Sequence, residues 1–410
     1  MKLRFLGGVS EVGRLGMLLE DDGARALFDY GLAPSDPPKY PQESPPVDMA
    51  FLSHAHLDHS GMMPWIAGKH GPPVVMTPPT WRMGELLAHD SLKVAKAEGY
   101  PIPYQRGDIK ALEDSLHLQR YANSVSLGGA DVKLHSAGHI PGSTMFEVQG
   151  SRRLLFTGDM NVADTHLVWG AHPVKCDTLV IEGTYSGREH PARKDVERRF
   201  LETCEDVVDR GGLALVPAFA VGRTQELMML LAESGLEVWL DGMGRDVTRL
   251  LLENPAFLRS PGGLERALRN IKVVHSNHGR KLALEGDVIL TTSGMLEGGP
   301  VLGYLEQVRS DPKSAVLLTG YQVKGTNGRR LVEEQAVELQ GAMERVRCQT
   351  DIFDFSAHAG HSELVEFARA CNPEEVVIFH SDQREHLAEA LGDRYKVLLP
   401  ETGDDVELGS

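Results

Sequence analysis

The stretch Ser53-His54-Ala55-His56-Leu57-Asp58-His59-Ser60-Gly61 places three imidazoles and two carboxylate oxygens within six residues, directly after the apolar run Met49-Ala50-Phe51-Leu52. Such a run reads as a strand that delivers side chains to its carboxyl end, where open sheets of alternating strands and helices bind ligands. His54 and His56 are two residues apart, so on an extended chain they point to the same side. Neutral imidazole with carboxylate is the donor set of zinc and similar transition metals. Asp58 and His59, just past the turn, are placed to address a second ion. A histidine-rich surface loop is the alternative reading. It suits a single histidine better than H-x-H-x-D-H docked on a strand and followed by Ser-Gly.

The same arrangement recurs along the chain. Ala26-Leu27-Phe28 ends at Asp29, a residue that taken alone is more often a turn former. Val132-Lys133-Leu134 runs into a glycine-bounded turn presenting His139, Arg153-Leu154-Leu155-Phe156 leads to Asp159, and Thr178-Leu179-Val180-Ile181 leads to Glu182. Far downstream, Val376-Val377-Ile378-Phe379 ends at His380-Ser381-Asp382. One such residue is a cap or a turn; the repetition implies a site on one rim of a sheet. Grouped, His54, His56, His139 and Asp159 serve one metal, and Asp58, His59, Asp159 and His380 the second, with Asp159 bridging. Two ions about 4 Å apart can share a hydroxide nucleophile and clamp a phosphoryl centre during in-line displacement. Asp58 would orient the water or take its proton. His358, beside the small residues Ser356 and Ala357, is the candidate acid for a leaving alkoxide, with Glu182 as the carboxylate that orients it.

At 410 residues the chain has length for two or three domains. Short apolar runs near the start suggest a hairpin-rich sheet edge, and Ala33 to Pro46, with six prolines, a loop. Helices are expected over 59–69, 80–98 and 108–116, with His89 and His117 falling in the latter two patterns, and a strand over 74–76. From about Gly187 helices and strands alternate. Helices are expected over 192–210, 222–233, 243–253 and 300–309, and strands over 213–217, 238–240, 271–274, 288–292 and 315–319. This is a second α/β unit with a parallel sheet. Because His380 returns to the metal rim, the middle unit is an insertion, giving divisions 1–186, 187–347 and 348–410.

No apolar run approaches the ~20 residues that span a bilayer, and Met1 to Leu6 lacks a signal peptide's apolar core. Leu399-Pro400-Glu401-Thr402-Gly403 looks like a sorting signal but has no apolar tail after it, and is read as chance. Cys176, Cys204, Cys348 and Cys371 are far apart and form no C-x-x-C pair, which argues against zinc on thiolates and suits a reducing cytoplasm. The net charge of −16 argues against generic adhesion to nucleic acid, though not against a local basic groove. Gly294-Met295-Leu296-Glu297-Gly298-Gly299 lacks the lysine of a phosphate-binding loop. Arg223, Arg245, Arg280, Lys281, Lys324, Arg329 and Arg330 fall at turns, where solvated surface is the default. In Lys324-Gly325-Thr326-Asn327-Gly328-Arg329-Arg330, small residues beside three cations suit a phosphate.

H-x-H-x-D-H with a later His and Asp resembles the metallo-β-lactamase fold. Glu182, Ser356-Ala357-His358 and His380, separated by an α/β insertion, look like its β-CASP nuclease branch. Pro217-Ala218-Phe219-Ala220-Val221-Gly222-Arg223, Thr292-Ser293-Gly294-Met295 and Thr319-Gly320-Tyr321-Gln322 are similar to that branch too, especially to relatives of the cleavage and polyadenylation specificity factor endonuclease and of RNase J. The resemblance covers essentially the whole chain. It implies an α/β fold: an αββα sandwich with an inserted β-CASP domain as a lid, single-stranded RNA in the cleft between them, and two Zn2+ ions, with Mn2+ as the alternative. It implies a ribonuclease of RNA processing or decay, endonucleolytic or 5′-3′ exonucleolytic, and an Asp29 that orients a metal histidine. Ser356 and Arg223 join Lys324, Arg329 and Arg330 as candidate RNA-phosphate contacts. The branch commonly has His-Gly-Glu where this chain has His380-Ser381-Asp382, which leaves the second metal's surroundings different. No RNA-binding extension precedes Met1, so RNA affinity is expected from the core and a homodimer. DNA is not excluded as a substrate. A thioesterase or lactonase of the same metal fold, and a non-catalytic scaffold subunit, are the competing readings.

Overall fold

The strands that end in the candidate metal-binding residues are apolar on both faces, and each face has its own partner. In the computed structural model, which describes residues 1–33 and 37–409, these strands belong to two seven-stranded sheets. In the first, Lys2–Gly7, Gly16–Asp21 and Ala24–Tyr30 run antiparallel, with Asp405–Glu407 at the outer edge. Met49–Phe51, Val74–Met76 and Leu116–Leu118 extend it in parallel. In the second, Ser124–Leu127, Ala130–Ser136, Thr144–Gln149 and Arg153–Phe156 are antiparallel, and Thr178–Glu182, Glu375–Phe379 and Lys396–Leu398 follow in parallel.

Period-two alternation sorts the side chains. Phe28, Phe51 and Val75 of the first sheet share one core with Phe146, Phe156, Val180, Val377 and Phe379 of the second. Ring centroids there stand 4.9 Å apart for Phe28 and Phe51, 5.4 Å for Phe28 and Phe156, and 5.2 Å for Phe156 and Phe379. One residue along, Leu27, Ala50, Val74 and Met76 pack under Met63, Ile66, Trp81, Ile109 and Leu112. Those residues come from the helices Met63–His70, Pro78–Glu98 and Arg106–Asp114. On the far side Leu155, Leu179, Ile181, Val376 and Ile378 pack under Leu364, Phe367, Leu387 and Leu391 of the helices His361–Cys371 and Arg384–Gly392. Coverage on both faces is why the parallel strands read as continuous apolar runs. The result is an αββα sandwich.

A second compact unit comprises His190–Ala357 with Thr165–Val168. Its sheet has the order Lys272–Val273, Val238–Asp241, Val288–Thr291, Ala214–Pro217, Ala315–Leu318, Gln349–Ile352, parallel throughout. Leu215, Ile289, Val316 and Leu318 bury one face under Val301, Tyr304 and Leu305 of the helix Pro300–Val308. The two units part at 189/190 and 357/358, against expected divisions at 186/187 and 347/348. The later downstream boundary follows from Gln349–Ile352, a half-exposed edge strand whose polar sequence gives no apolar run to read.

Other local expectations shift for identifiable reasons. The single helix over 59–69 is two, Leu57–Ser60 and Met63–His70, with Pro64 in the first turn of the second, where its missing N–H costs nothing. His117 is on a strand, not a helix: the helix stops at Asp114 and Leu116–Leu118 pairs with Val74–Met76. The helices Pro261–Asn270 and Asn277–Ala283 and the hairpin of Ala336–Leu339 with Ala342–Arg345 were not expected. The proline-rich segment from Ala33 to Pro46 falls in part outside the described residues; Ala33 and Lys39 form an isolated bridge. Cys176 and Cys371, distant in sequence, lie in one core cluster. Among the described residues no helix is long and apolar enough to cross a membrane.

Candidate metal centre

Four donor atoms converge beyond the strand Met49–Phe51. His54 Nε2 and His139 Nε2 each lie 3.1 Å from His56 Nδ1. Asp159 Oδ2 is 3.6 Å from His54 Nε2 and 3.9 Å from His139 Nε2. Tetrahedral ligands at zinc's bond lengths stand roughly 3.3 Å apart, so this set has the spacing of one coordination shell. A second set shares Asp159. His59 Nε2 is 3.2 Å from Asp159 Oδ1, and His380 Nε2 is 3.8 Å from that atom and 3.4 Å from Asp58 Oδ2. Asp159 thus offers Oδ2 to one set and Oδ1 to the other.

Buried polar atoms are normally hydrogen-bonded. Here His59 Nε2, Asp159 Oδ1 and both ring nitrogens of His380 are buried without a hydrogen bond, and three of those four atoms point into the second set. The surroundings fix tautomers to match. Asp29 Oδ2 accepts from His59 Nδ1 at 2.7 Å and from Ser53 Oγ at 2.7 Å. With its proton committed to Asp29, Ser53 Oγ accepts from His54 Nδ1 at 3.1 Å. Both histidines are left with Nε2 lone pairs facing inward, as metal ligands require. The donor sets fit a divalent metal.

The backbone is bent to aim these groups. Asp29 and His380 adopt φ of 54° and 59°, a left-handed conformation that costs a non-glycine residue about 1–3 kcal/mol. Each lies one step beyond an apolar strand position, where the turn swings the side chain inward. His380 N donates to Gly8 O at 3.0 Å, which holds that turn. Gly158, at φ 54°, precedes Asp159; a Cβ there would come within 2.7 Å of Ser53 Cβ. Ser143 Oγ accepts from His139 N and Ile140 N at 3.2 Å, and the half-buried Tyr121 donates its hydroxyl to Ser143 O at 3.0 Å, bracing the His139 turn.

Burial, chiefly, holds His54 and His56 below the ordinary imidazole range, so both are neutral and able to ligate. Burial alone would raise Asp58 and Asp159, but His59 and its neighbours outweigh it and keep both carboxylates ionised. His59 moves the other way: burial opposes its charge, but Asp159, Asp29 and Asp58 raise it well above its usual value. Positive charge is therefore favoured where these carboxylates meet, which is the requirement a metal would satisfy.

His358 Nδ1 lies 2.9 Å from Glu182 Oε1, and its Nε2 lies 3.9 Å from Asp159 Oδ2. Burial disfavours its charge, yet Glu182 and Asp159 lift its pKa to about 9. The pairing expected from sequence is thus brought together beside the donor sets. Tyr185, whose ring centroid is 5.8 Å from that of His358, was not foreseen, nor were Ser53 and Ser143. Ser53 was in view inside the opening stretch, but nothing in its spacing marks it as the tautomer-setting hydroxyl.

The expected phosphate contacts are less uniform. Lys324 is exposed, but three of the open backbone donors expected after it are occupied. Thr326 caps the helix Asn327–Glu334 and accepts from Arg329 N, Glu297 accepts from Asn327 N, and Met295 O accepts from Gly328 N. Arg329 pairs with Glu333 at 2.6 Å and Arg330 with Glu338 at 3.3 Å. Arg223 donates to Thr319 O, and Ser356 N donates to Asp354 Oδ1 at 3.1 Å. A separate His166, Glu197 and Glu226 group in the second unit is already served by Arg193, 3.0 Å from Glu197 and 3.1 Å from Glu226.

Residues 12–202 match the Metallo-beta-lactamase superfamily, 224–331 the Beta-Casp domain and 343–400 the Zn-dependent metallo-hydrolase RNA specificity domain. The chain is 37% identical to the probable RNase MJ4 of Methanocaldococcus jannaschii, across 93% of this chain and 94% of that one. It is 35% identical to RNase aCSPSF2 of Saccharolobus solfataricus, across 99% and 85%. It is 31% identical to the transcription termination factor FttA of Methanocaldococcus jannaschii, across 93% and 67%. A crystal structure of an Enterococcus faecalis protein superposes with a TM-score of 0.65 at 14% identity over 99% of each chain, which is a likeness of fold.

Proposed function

The chain belongs to the metallo-β-lactamase superfamily, in the branch that carries a Beta-Casp domain, and on that premise we propose that it is a two-metal ribonuclease, zinc-dependent, that hydrolyses single-stranded RNA in the cytoplasm. One observation carries the reading: the His358–Glu182 pair stands beside two donor sets that share Asp159. The names of the relatives, two RNases and a termination factor, agree with RNA as the polymer.

His54, His56, His139 and Asp159 would hold one ion, and Asp58, His59, Asp159 and His380 the other. Imidazole with carboxylate favours zinc, with Mn2+ the alternative. When bound, the ions supply Lewis acidity at the phosphoryl oxygens and lower the pKa of water. Asp58, the one partly exposed member of the second set at 22%, is placed to orient the attacking water and accept its proton. His358, protonated at neutral pH, donates from Nε2 to the leaving 3′ oxygen, while Glu182 holds Nδ1. Arg223, Ser356 and Lys324 are the candidate phosphate contacts.

The test is cleavage of a 5′-labelled single-stranded RNA and a matched DNA by wild type and Asp159→Ala in Zn2+ and in Mn2+. Internal fragments absent with the variant would establish endonucleolytic action. Mononucleotides released only from 5′-monophosphate RNA would establish exonucleolytic action. No metal-dependent cleavage of either polymer would overturn the reading.

A further inference from the structure

We propose that the second unit carries a base-stacking platform for single-stranded RNA, built from Phe219 and Tyr321 on the carboxyl rim of its parallel sheet. The proposal rests on the ribonuclease reading and names how the polymer is recognised away from the metals.

Ala214–Pro217, Val288–Thr291 and Ala315–Leu318 are adjacent and parallel, so the loops that follow them leave from one rim. The chain builds outward from Ala214–Pro217 on one side, through Val238–Asp241 and Lys272–Val273, then returns and continues on the other through Ala315–Leu318. Ligands of open α/β sheets bind at the carboxyl rim beside such a reversal. Here the rim presents aromatic surface: Phe219 is 37% and Tyr321 48% exposed.

Phe219 is exposed yet firmly seated. A Cβ on Gly294 would stand 3.4 Å from Phe219 Cδ2, and one on Gly320 3.7 Å from Cε2, so two bare backbones flank the ring from neighbouring loops. Its carbonyl accepts from Thr224 N at 3.1 Å and Thr224 Oγ1 at 2.7 Å. An aromatic surface held in place loses little freedom when a ligand covers it. Arg223 joins the group: it donates to Thr319 O, and its Nη1 would lie 3.1 Å from a Cβ on Gly320.

A single exposed aromatic is ordinary protein surface. Two of them from adjacent loops, with the Arg223 guanidinium beside Gly320 on the same rim, have the composition of sites that stack successive nucleobases while a cation follows the backbone. Every base has a π-face, so such a platform binds without strong sequence preference. A protein segment would also cover apolar surface, but the arginine and the polymer proposed above as substrate favour RNA.

The experiment measures KM of the full chain for a single-stranded RNA, and the affinity of an otherwise identical oligonucleotide with an abasic stretch as a competitor. Phe219→Ala and Tyr321→Ala should each raise KM about tenfold. Phe219→Trp and Tyr321→Phe, which keep a ring, should restore it, and the abasic competitor should bind all variants alike. Should Phe219→Ala fail to fold, the more exposed Tyr321 carries the test. RNA cleaved with wild-type KM by both alanine variants would overturn the platform and leave the ribonuclease reading standing. If wild type cleaves no RNA, the ribonuclease reading falls, and fluorescence anisotropy of labelled RNA decides the platform: equal binding by wild type and Phe219→Ala overturns it, and weaker binding by the variant supports it.

Discussion

Glu182 Oε1 lies 2.9 Å from His358 Nδ1 and 3.0 Å from Met160 N, so one carboxylate oxygen fixes both an imidazole and the backbone one residue past Asp159. Its other oxygen accepts from Thr184 N at 3.0 Å. The group that would protonate the leaving oxygen and the group shared by both donor sets are therefore braced by the same side chain at the end of Thr178–Glu182. Movement of one disturbs the other.

That coupling sets the first expectation. His358→Ala should lower kcat on RNA by about 10²–10⁴-fold, the usual contribution of a positioned acid. Glu182→Gln preserves shape but removes the charge that keeps His358 protonated, and should cost about 10–100-fold. Single-turnover cleavage at matched metal loading reads both. Wild-type rates for Glu182→Gln would show that the pairing has no part in the chemistry.

Asp29 offers a cleaner substitution than most buried carboxylates. Its φ of 54° suits asparagine, which tolerates the left-handed region, so Asp29→Asn changes charge without straining the turn. The amide no longer favours a proton on His59 Nδ1, and Ser53 loses the acceptor that fixes its hydroxyl. Metal affinity should fall about 10–100-fold, measured by competition with a chromogenic chelator. Unchanged affinity would reduce Asp29 to a turn residue.

His380 belongs to the second set alone, as Asp58 and His59 do, but unlike them it arrives from the far end of the chain. His380→Ala should lower the bound metal from two ions per chain toward one, read by native mass spectrometry. Chelation of wild type should lower its thermal midpoint, since a ligand present at a hundred times its Kd stabilises the folded state by about 2.7 kcal/mol. A single ion in both proteins would remove the two-metal arrangement.

How far the sequence revealed this site depends on chain separation. His54, His56, Asp58 and His59 share one turn, and Asp29, Asp159, Glu182 and His380 each follow an apolar strand, a pattern visible without coordinates. The distance between His358 and Glu182 was not, because 176 residues and an insertion separate them. Gln349–Ile352 was missed because a polar edge strand lacks alternation, and the helix at Pro261 because Pro261-Gly262-Gly263 reads as a turn. The meeting of Cys176 and Cys371 in one core cluster has no sequence signal at all. The Lys324 to Arg330 turn was legible as cationic but not as capped, since its acceptors come from Glu297 and Met295 on another loop.

The last expectation concerns the second unit alone. Asp354 Oδ2 lies 2.7 Å from His190 Nδ1, and Asp354 Oδ1 accepts from Ser356 N. Burial pushes the Asp354 carboxyl up, but the hydrogen bond and charge of His190 and the Ser356 amide outweigh it, holding the group below its ordinary range. A carboxylate depressed in the folded state contributes stability that is fully present above its unfolded pKa and lost as pH falls through the folded value. Asp354→Asn should therefore lower the thermal midpoint by about 2–4 °C at pH 7, as expected for roughly 1 kcal/mol in a unit of this size. The gap between variant and wild type should narrow as pH drops below about 4, where the unfolded carboxylate also takes its proton. Calorimetry across that range reads the difference, and a gap independent of pH would assign the loss to packing instead of charge.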